Sequence, residues 1–168
     1  MAERVLAMRE KALGPAHPDV AISLARLGNL YREKGQYGRA EPLLTRALAI
    51  EEKARGPEDA YVGRALNDLG LLYKDRGDYA RAAPLYERAL ALKPDSADVR
   101  TDYGNTFFQR QDFARALAEY RKSVALDPAH VNSWRNIVVA SLNLNELPSP
   151  RKRVGRLAAN LAQPAHEL

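Results

Sequence analysis

The sequence contains no cysteine, so disulfides, thiolate metal sites and cysteine nucleophiles are all excluded. It also lacks a glycine-rich phosphate loop, a dinucleotide fingerprint and a nucleophile elbow. The three histidines, His17, His130 and His166, stand apart from one another and from any carboxylate cluster at metal-ligand spacing, and we expect them to be solvated. These absences predict a chain that is not an enzyme and needs no cofactor.

Long apolar segments are absent too, since no run approaches the roughly 18 residues of a membrane helix. The first residues, MAERVLAMREKAL, are charged and amphipathic and do not resemble a signal peptide, which predicts a cytoplasmic location. The net charge is +5, but arginines alternate with acidic residues as on solvated helix faces. The charge alone therefore gives only weak support for nucleic-acid binding.

What the chain does contain is an internal repeat. Residues 27–48 read LGNLYREKGQYGRAEPLLTRAL, and residues 69–90, which lie 42 positions later, read LGLLYKDRGDYARAAPLYERAL. A third unit follows at a shorter spacing, with Gly104 in the position of Gly70, and a fourth begins at Trp134 and decays. A repeat of this length predicts stacked helix pairs that share one continuous core.

These residues resemble the tetratricopeptide repeat (TPR), whose signature places Trp, Leu-Gly and Tyr on one helix and Ala, Phe and Pro on or after the next. The first two units are similar to the 42-residue repeats of kinesin light chains and of many bacterial proteins. The resemblance implies an all-α fold, a right-handed superhelical solenoid of antiparallel helix pairs, in which the first helix of each pair lines a concave groove. It supports an architecture and not a motor role.

The repeat phase predicts how the chain is divided. Residues 1–14 form the second helix of an incomplete N-terminal repeat, and its exposed apolar residues predict self-association. TPR units follow at 15–56, 57–94 and 95–128, and then a degenerate fourth unit with a C-terminal capping helix at 129–163 and a tail at 164–168. The predicted helices span 2–13, 18–34, 36–54, 59–76, 78–93, 96–110, 112–126, 129–144 and 150–162.

Glycine and proline inside the helical pattern require a reason, because both weaken helices. Two glycines, Gly35 and Gly77, are predicted to end first helices in the left-handed conformation. Pro42 and Pro84 lie inside second helices, and we expect each to produce a local bend. Three further glycines are predicted to lie at helix crossings and to face alanines: Gly28 with Ala40, Gly70 with Ala82, and Gly104 with Ala116.

A stripe beside the packed face of each first helix is predicted to line the groove, because its members recur at i, i+3, i+7 and i+10. Asn can hydrogen-bond a peptide backbone, Arg and Lys can hold acidic side chains, and Leu and Phe can floor apolar pockets. The candidate partner-binding residues are Asn29, Arg32, Arg64, Asn67, Leu71, Lys74, Thr101, Asn105, Phe108 and Arg135.

The sequence therefore predicts a non-catalytic protein–protein interaction scaffold whose groove binds a peptide or protein segment. Related proteins that hold the carboxylate tails of heat-shock chaperones carry basic residues at positions that here are Ala25, Asp98 and Asp102, so we do not expect that ligand. Two alternatives remain open. One is a helical solenoid that binds nucleic acid through its arginine-rich outer helices and the basic residues 151–156. The other is a regulatory TPR appendage of a larger enzyme.

Overall fold

The structure is a computed structural model that describes residues 2–144, and all regular structure within them is helical. The eight helices are α1 (Ala2–Leu13), α2 (Pro18–Glu33), α3 (Tyr37–Arg55), α4 (Ala60–Asp75), α5 (Tyr79–Leu92), α6 (Ala97–Gln109), α7 (Phe113–Leu126) and α8 (Val131–Asn143). Their ends agree with the spans predicted from the sequence to within two residues. The ninth predicted helix, at 150–162, lies outside the described residues.

The helices pack in pairs that are consecutive along the chain. The most extensive contacts join α2 to α3, α4 to α5 and α6 to α7, and smaller ones join each pair to the next. The first helices also touch one another in the order α2, α4, α6 and α8. The fold is an all-α helical-repeat solenoid, as predicted, with its first helices side by side on one surface.

Local sequence explains where the second helices α5 and α7 begin. Asp78 and Asp112 stand immediately before α5 and α7, and their carboxylates accept hydrogen bonds from the backbone amides of Arg81 and Arg115, each at 3.2 Å. The same arginines bind the carboxylates through their guanidinium groups. These hydrogen bonds lower the pKa of both carboxyls below the ordinary value of an aspartic acid.

The ends of the first helices follow a common conformation. Gly35 and Gly77 have φ of +70° and +83°, which confirms that these glycines supply the left-handed residue after α2 and α4. After α6 the equivalent position is occupied by Gln111, with φ of +62°. Gln111 therefore adopts a left-handed backbone conformation that glycine adopts without a steric cost.

The glycines inside the first helices lie at helix crossings, as predicted, but alanine side chains are not what limits the space there. A Cβ atom added to Gly70 would lie 2.8 Å from the ring of Tyr86, and one added to Gly104 would lie 2.6 Å from the ring of Tyr120. At Gly28 the nearest group is Leu44, at 2.7 Å. The glycines make room for a large side chain of the second helix. The opposing alanines are themselves buried: Ala40, Ala82 and Ala116.

Two prolines lie within second helices without ending them. The α-helix continues beyond Pro42 to Arg55 and beyond Pro84 to Leu92. Since proline has no amide hydrogen, the carbonyls four residues earlier lose their usual helical partners. The bend expected at these residues stays a prediction.

Candidate partner-binding groove

The four first helices α2, α4, α6 and α8 form one surface, which we call the groove. Two sizeable cavities open on it, and a much smaller one of about 10 Å³ lies between α2 and α4. The larger, of about 400 Å³, lies between α4 and α6 and is floored by the end of α5. The smaller, of about 170 Å³, lies between α6 and α8. They adjoin, since Asp98 lines both.

The larger cavity combines apolar walls with polar groups that the chain does not satisfy. Tyr61, Arg64 and Asn67 line it from α4, and Lys93 lines it from the end of α5. The side-chain oxygen of Asn67 is buried and accepts no hydrogen bond from the described residues. Arg64 is exposed, with its guanidinium carbon 5.2 Å from the centre of the Tyr61 ring. This cavity therefore offers two exposed cations, Arg64 and Lys93, to an incoming group.

The smaller cavity is more polar and more internally bonded. The Oδ1 atom of Asn105 accepts hydrogen bonds from the hydroxyl of Tyr120 at 2.8 Å and from Nδ2 of Asn136 at 3.0 Å. Arg135 and Asn132 are exposed at its rim on α8. Asn105 thus supports the cavity from below, whereas the rim residues are accessible to a partner.

Two of the predicted groove cations already hold carboxylates of the chain. Arg32 on α2 forms an ion pair with Asp75 on α4. Lys74 on α4 binds Asp102 on α6, with Nζ 2.7 Å from Oδ1. These ion pairs join successive first helices, so Arg32 and Lys74 have a structural role whether or not they also bind a partner.

A half-buried carboxyl lies in the same row of charges. Asp68 on α4 has a raised pKa because burial disfavours its charged form. A hydrogen bond from Asn29 and the positive charges of Arg64 and Arg32 oppose that effect without cancelling it. Asn29 also accepts a hydrogen bond from Nε of Arg32 at 3.2 Å, so it acts within the fold.

The three remaining candidate residues are at least partly covered by the chain. Phe108 packs edge-on against Phe113, with ring centroids 5.1 Å apart. Thr101 is buried, and its hydroxyl bonds the carbonyl of Ala97 at 2.8 Å. Leu71 is half-buried. Of the ten candidates, five line one of the two cavities: Arg64, Asn67, Thr101, Asn105 and Arg135.

Tyr61 and Lys93 are among the residues of the larger cavity that the sequence reasoning missed. Tyr61 lies three residues before Arg64 on α4, so an extension of the same helical stripe by one turn would have found it. Lys93 follows α5, a second helix. No periodicity within the first helices points to a residue that a neighbouring helix contributes.

The expectation that His130 is solvated is wrong. The imidazole caps α8 and is largely buried, with Nδ1 2.7 Å from Oγ of Ser133 and Nε2 2.9 Å from Oδ1 of Asp98. His17 is exposed and accepts a hydrogen bond from the amide of Asp19 at 3.1 Å. His166 lies outside the described residues.

Asp98, His130 and Ser133 have the order of an acid, a base and a nucleophile, but their arrangement does not suit catalysis. Ser133 is fully buried, and its hydroxyl also bonds Thr101 and Ser123. A substrate therefore has no path to its oxygen, and the network instead joins α6, α7 and α8. Within residues 2–144 no group of three metal-ligating side chains is assembled, and no helix is long and apolar enough to cross a membrane.

Comparisons with known proteins identify the repeats. Two family models described as tetratricopeptide repeat match the chain, one over residues 1–53 and 26–95 and the other over residues 67–131. A search of curated proteins gave no significant match.

Solved structures share the fold at low sequence identity. BtubC (BKLC) from P. vanneervenii is 20% identical with a TM-score of 0.75, over 99% of this chain and 75% of that one. A putative kinesin light chain with TPR-like repeats from Podosopora anserina is 19% identical with a TM-score of 0.75, over 94% and 82%. The first TPR of Spaghetti (RPAP3), solved with the HSP90 peptide SRMEEVD, is 20% identical with a TM-score of 0.67, over 77% and 96%.

Proposed function

We propose that this chain, which belongs to the tetratricopeptide repeat family, is a cytoplasmic, non-catalytic scaffold that binds a segment of another protein along the groove. Tetratricopeptide domains are typically interaction modules, and the similar domain of Spaghetti is described as bound to a peptide. The observation that carries the proposal is the larger cavity, which presents the exposed side chains of Arg64 and Lys93 between α4 and α6.

The buried oxygen of Asn67 can accept from the N–H donors of a ligand only after its amide rotates toward the cavity. The backbone of an extended peptide supplies such N–H donors at regular intervals. Arg64 and Lys93 at the same cavity favour a segment that carries acidic side chains. No cofactor is needed for this function.

The second cavity extends the proposed path from α4 to α8. Arg135 and Asn132 are exposed at its rim, one turn apart on the same helix. A segment that begins over Arg64 and ends over Arg135 would contact three successive first helices. Its affinity would then come from several modest contacts and not from one deep pocket.

The outer arginines provide less support for nucleic-acid binding. Arg81, Arg88 and Arg115 each form an ion pair with a carboxylate of the chain. A guanidinium held in this way must exchange its partner before it can bind a phosphate, which reduces the net gain.

The test is a pull-down from cell lysate, with and without nuclease, that compares the parent chain with an Arg64→Glu, Arg135→Glu double variant. The matched control is Arg110→Glu, which reverses the charge of an exposed arginine that lines neither cavity. Asn105 is left unchanged because its substitution would remove the hydrogen bond of Tyr120.

We expect a protein that the parent chain and the control capture and the double variant loses, whatever the nuclease treatment. Capture that survives the double variant and disappears with nuclease would overturn the groove proposal in favour of a nucleic-acid surface. Circular dichroism of the three proteins shows whether each is folded before the capture results are compared.

A further inference from the structure

Exposed apolar side chains are concentrated on α1 and α8, the first and last of the described helices. Within residues 2–144, eleven large hydrophobic side chains are exposed, and eight of them lie on the first and last helices. On α1 they are Val5, Met8 and Leu13, and on α8 they are Val131, Trp134, Val138, Val139 and Leu142. A patch of this kind on a folded chain marks a surface that binds another surface.

The patch on α1 is the face of a second helix. Val5 and Met8 stand 42 positions before Ala47 and Ile50 of α3, which are buried against α2. Without an equivalent first helix among the described residues, 42% of Val5 and 71% of Met8 are exposed. The apolar face of α1 therefore has the register of a helix whose partner is a first helix.

The patch on α8 is the face of a first helix. Val131 and Trp134 occupy the repeat positions that Ala21 and Leu24 occupy on α2, which are the residues that cover Ala47 and Ile50 of α3. On α8 the exposed fractions are 75% for Val131 and 51% for Trp134. The apolar face of α8 thus has the register of a helix whose partner is a second helix.

We propose that α8 of one copy of this chain packs against α1 of another copy and completes a helix pair between them. In the register of α2 on α3, Val131 and Trp134 of one copy cover Val5 and Met8 of the other. The contact continues the interface that already joins α2 to α3, α4 to α5 and α6 to α7. This inference is independent of what the groove binds.

The two surfaces differ, so the association is head to tail. A contact between unlike surfaces leaves one free end on each copy and does not close at a dimer. One helix against one helix is small beside the roughly 1,200–2,000 Å² of a standard interface, so the association should depend strongly on concentration. The expected products are short oligomers that extend the solenoid.

The test is sedimentation velocity of the full chain over a roughly hundredfold range of concentration. The parent chain should rise from monomer to dimer and then to larger species. The variants Met8→Glu and Val131→Glu each block one end, so each alone should stay monomeric. An equimolar mixture of the two should give a heterodimer and nothing larger, because only one pair of ends remains intact.

The matched control is Ala7→Glu, which places the same carboxylate one residue away, at an exposed position of α1 equivalent to the exposed Ala49. It should associate like the parent chain. Met8 and Val131 are highly exposed, so their substitution removes little buried contact, and circular dichroism checks that both variants fold.

Three results would overturn the proposal. A parent chain that stays monomeric throughout would mean that its own residues 145–168, or another protein, cover the patches. Association that stops at a dimer would indicate like surfaces, α1 on α1 or α8 on α8. If a mixture of the two blocked variants formed no heterodimer, the association would not use these faces of α1 and α8.

Discussion

The pairs α4–α5 and α6–α7 are successive repeats with the same backbone plan but different interiors. The first buries Leu66, Leu72 and Ala89, where the second has Arg100, Thr106 and Ser123. The hydroxyl of Thr106 bonds the carbonyl of Tyr103 at 2.7 Å, and that of Ser123 bonds the carbonyl of Ala97 at 2.8 Å. Arg100 is held by Glu119 and by the carbonyl of Pro94, although its Nε is buried without a partner. The repeat thus tolerates polar residues in its core when most of their polar atoms find partners inside the fold.

One pair of equivalent residues breaks that rule. Tyr86 and Tyr120 are both buried beneath a glycine of the first helix, and burial raises the pKa of both phenols. The hydroxyl of Tyr120 donates to Asn105, but that of Tyr86 is buried without a partner. The difference follows from the groove stripe, in which Leu71 occupies the repeat position of Asn105 and cannot accept a hydrogen bond.

The largest effect should come from the glycines that the two pairs share. Gly70→Ala and Gly104→Ala would each place a Cβ within 3 Å of a buried tyrosine ring, and we expect each to lower the free energy of unfolding by about 1–3 kcal/mol. Gly63→Ala is the matched control, since its Cβ would lie 3.4 Å or more from its neighbours. Urea denaturation measures all three, and equal losses in all three would refute a steric role for the crossing glycines.

The next effect should separate the two tyrosines. Tyr120→Phe removes a hydrogen bond and leaves Asn105 with one partner fewer, so we expect a loss of roughly 1 kcal/mol. Tyr86→Phe removes a hydroxyl that has no partner, so its stability should be unchanged or slightly higher. Thermal or urea unfolding measures the free energy of unfolding of both variants. Equal decreases would show that the hydroxyls of Tyr86 and Tyr120 contribute equally to stability.

A double-mutant cycle sharpens the same comparison. Leu71→Asn should give Tyr86 the acceptor that Tyr120 has, and the gain should vanish when Tyr86 is replaced by Phe. The measured quantity is the difference between the two effects of Leu71→Asn on the free energy of unfolding. A difference of zero would mean that the phenol of Tyr86 does not reach that position.

The sequence predicted the helices and their pairing because repeat phase reports positions on the backbone. It predicted the place of Gly70 but not what Gly70 contacts, because spacing along one helix does not say which side chain of the next helix fills the gap. The groove was predicted less well for the same reason. Arg32 and Lys74 lie on the expected stripe, yet their partners Asp75 and Asp102 belong to the next helices. Contacts between units depend on residues outside the repeated pattern.

A smaller effect should appear where the first helices end. Gln111→Gly places glycine at a position with φ of +62°, as in the preceding unit, and should raise the free energy of unfolding by about 0.5–1 kcal/mol. The reverse change, Gly77→Gln, should lower it by a similar amount. Thermal unfolding measures both changes. Free-energy changes of opposite sign support a common left-handed cap. A lower free energy of unfolding in both variants would show that Gln111 has a stabilising contact of its own.

The smallest effect concerns Asp68 and its equivalent in the next unit, Asp102. A raised pKa means that folded Asp68 holds its proton more tightly than the unfolded chain does, so its contribution to stability falls as pH rises through that pKa. Asp68→Asn should therefore be slightly more stable than the parent chain at neutral pH, by less than about 1 kcal/mol, with the advantage shrinking towards about pH 4. Asp102→Asn should instead lose stability at neutral pH, because Lys74 loses its nearest carboxylate. Urea unfolding at neutral pH and at about pH 4 measures the change in the free energy of unfolding of each variant. A lower free energy of unfolding for Asp68→Asn at neutral pH would mean that the hydrogen bond from Asn29 outweighs the effect of burial on Asp68.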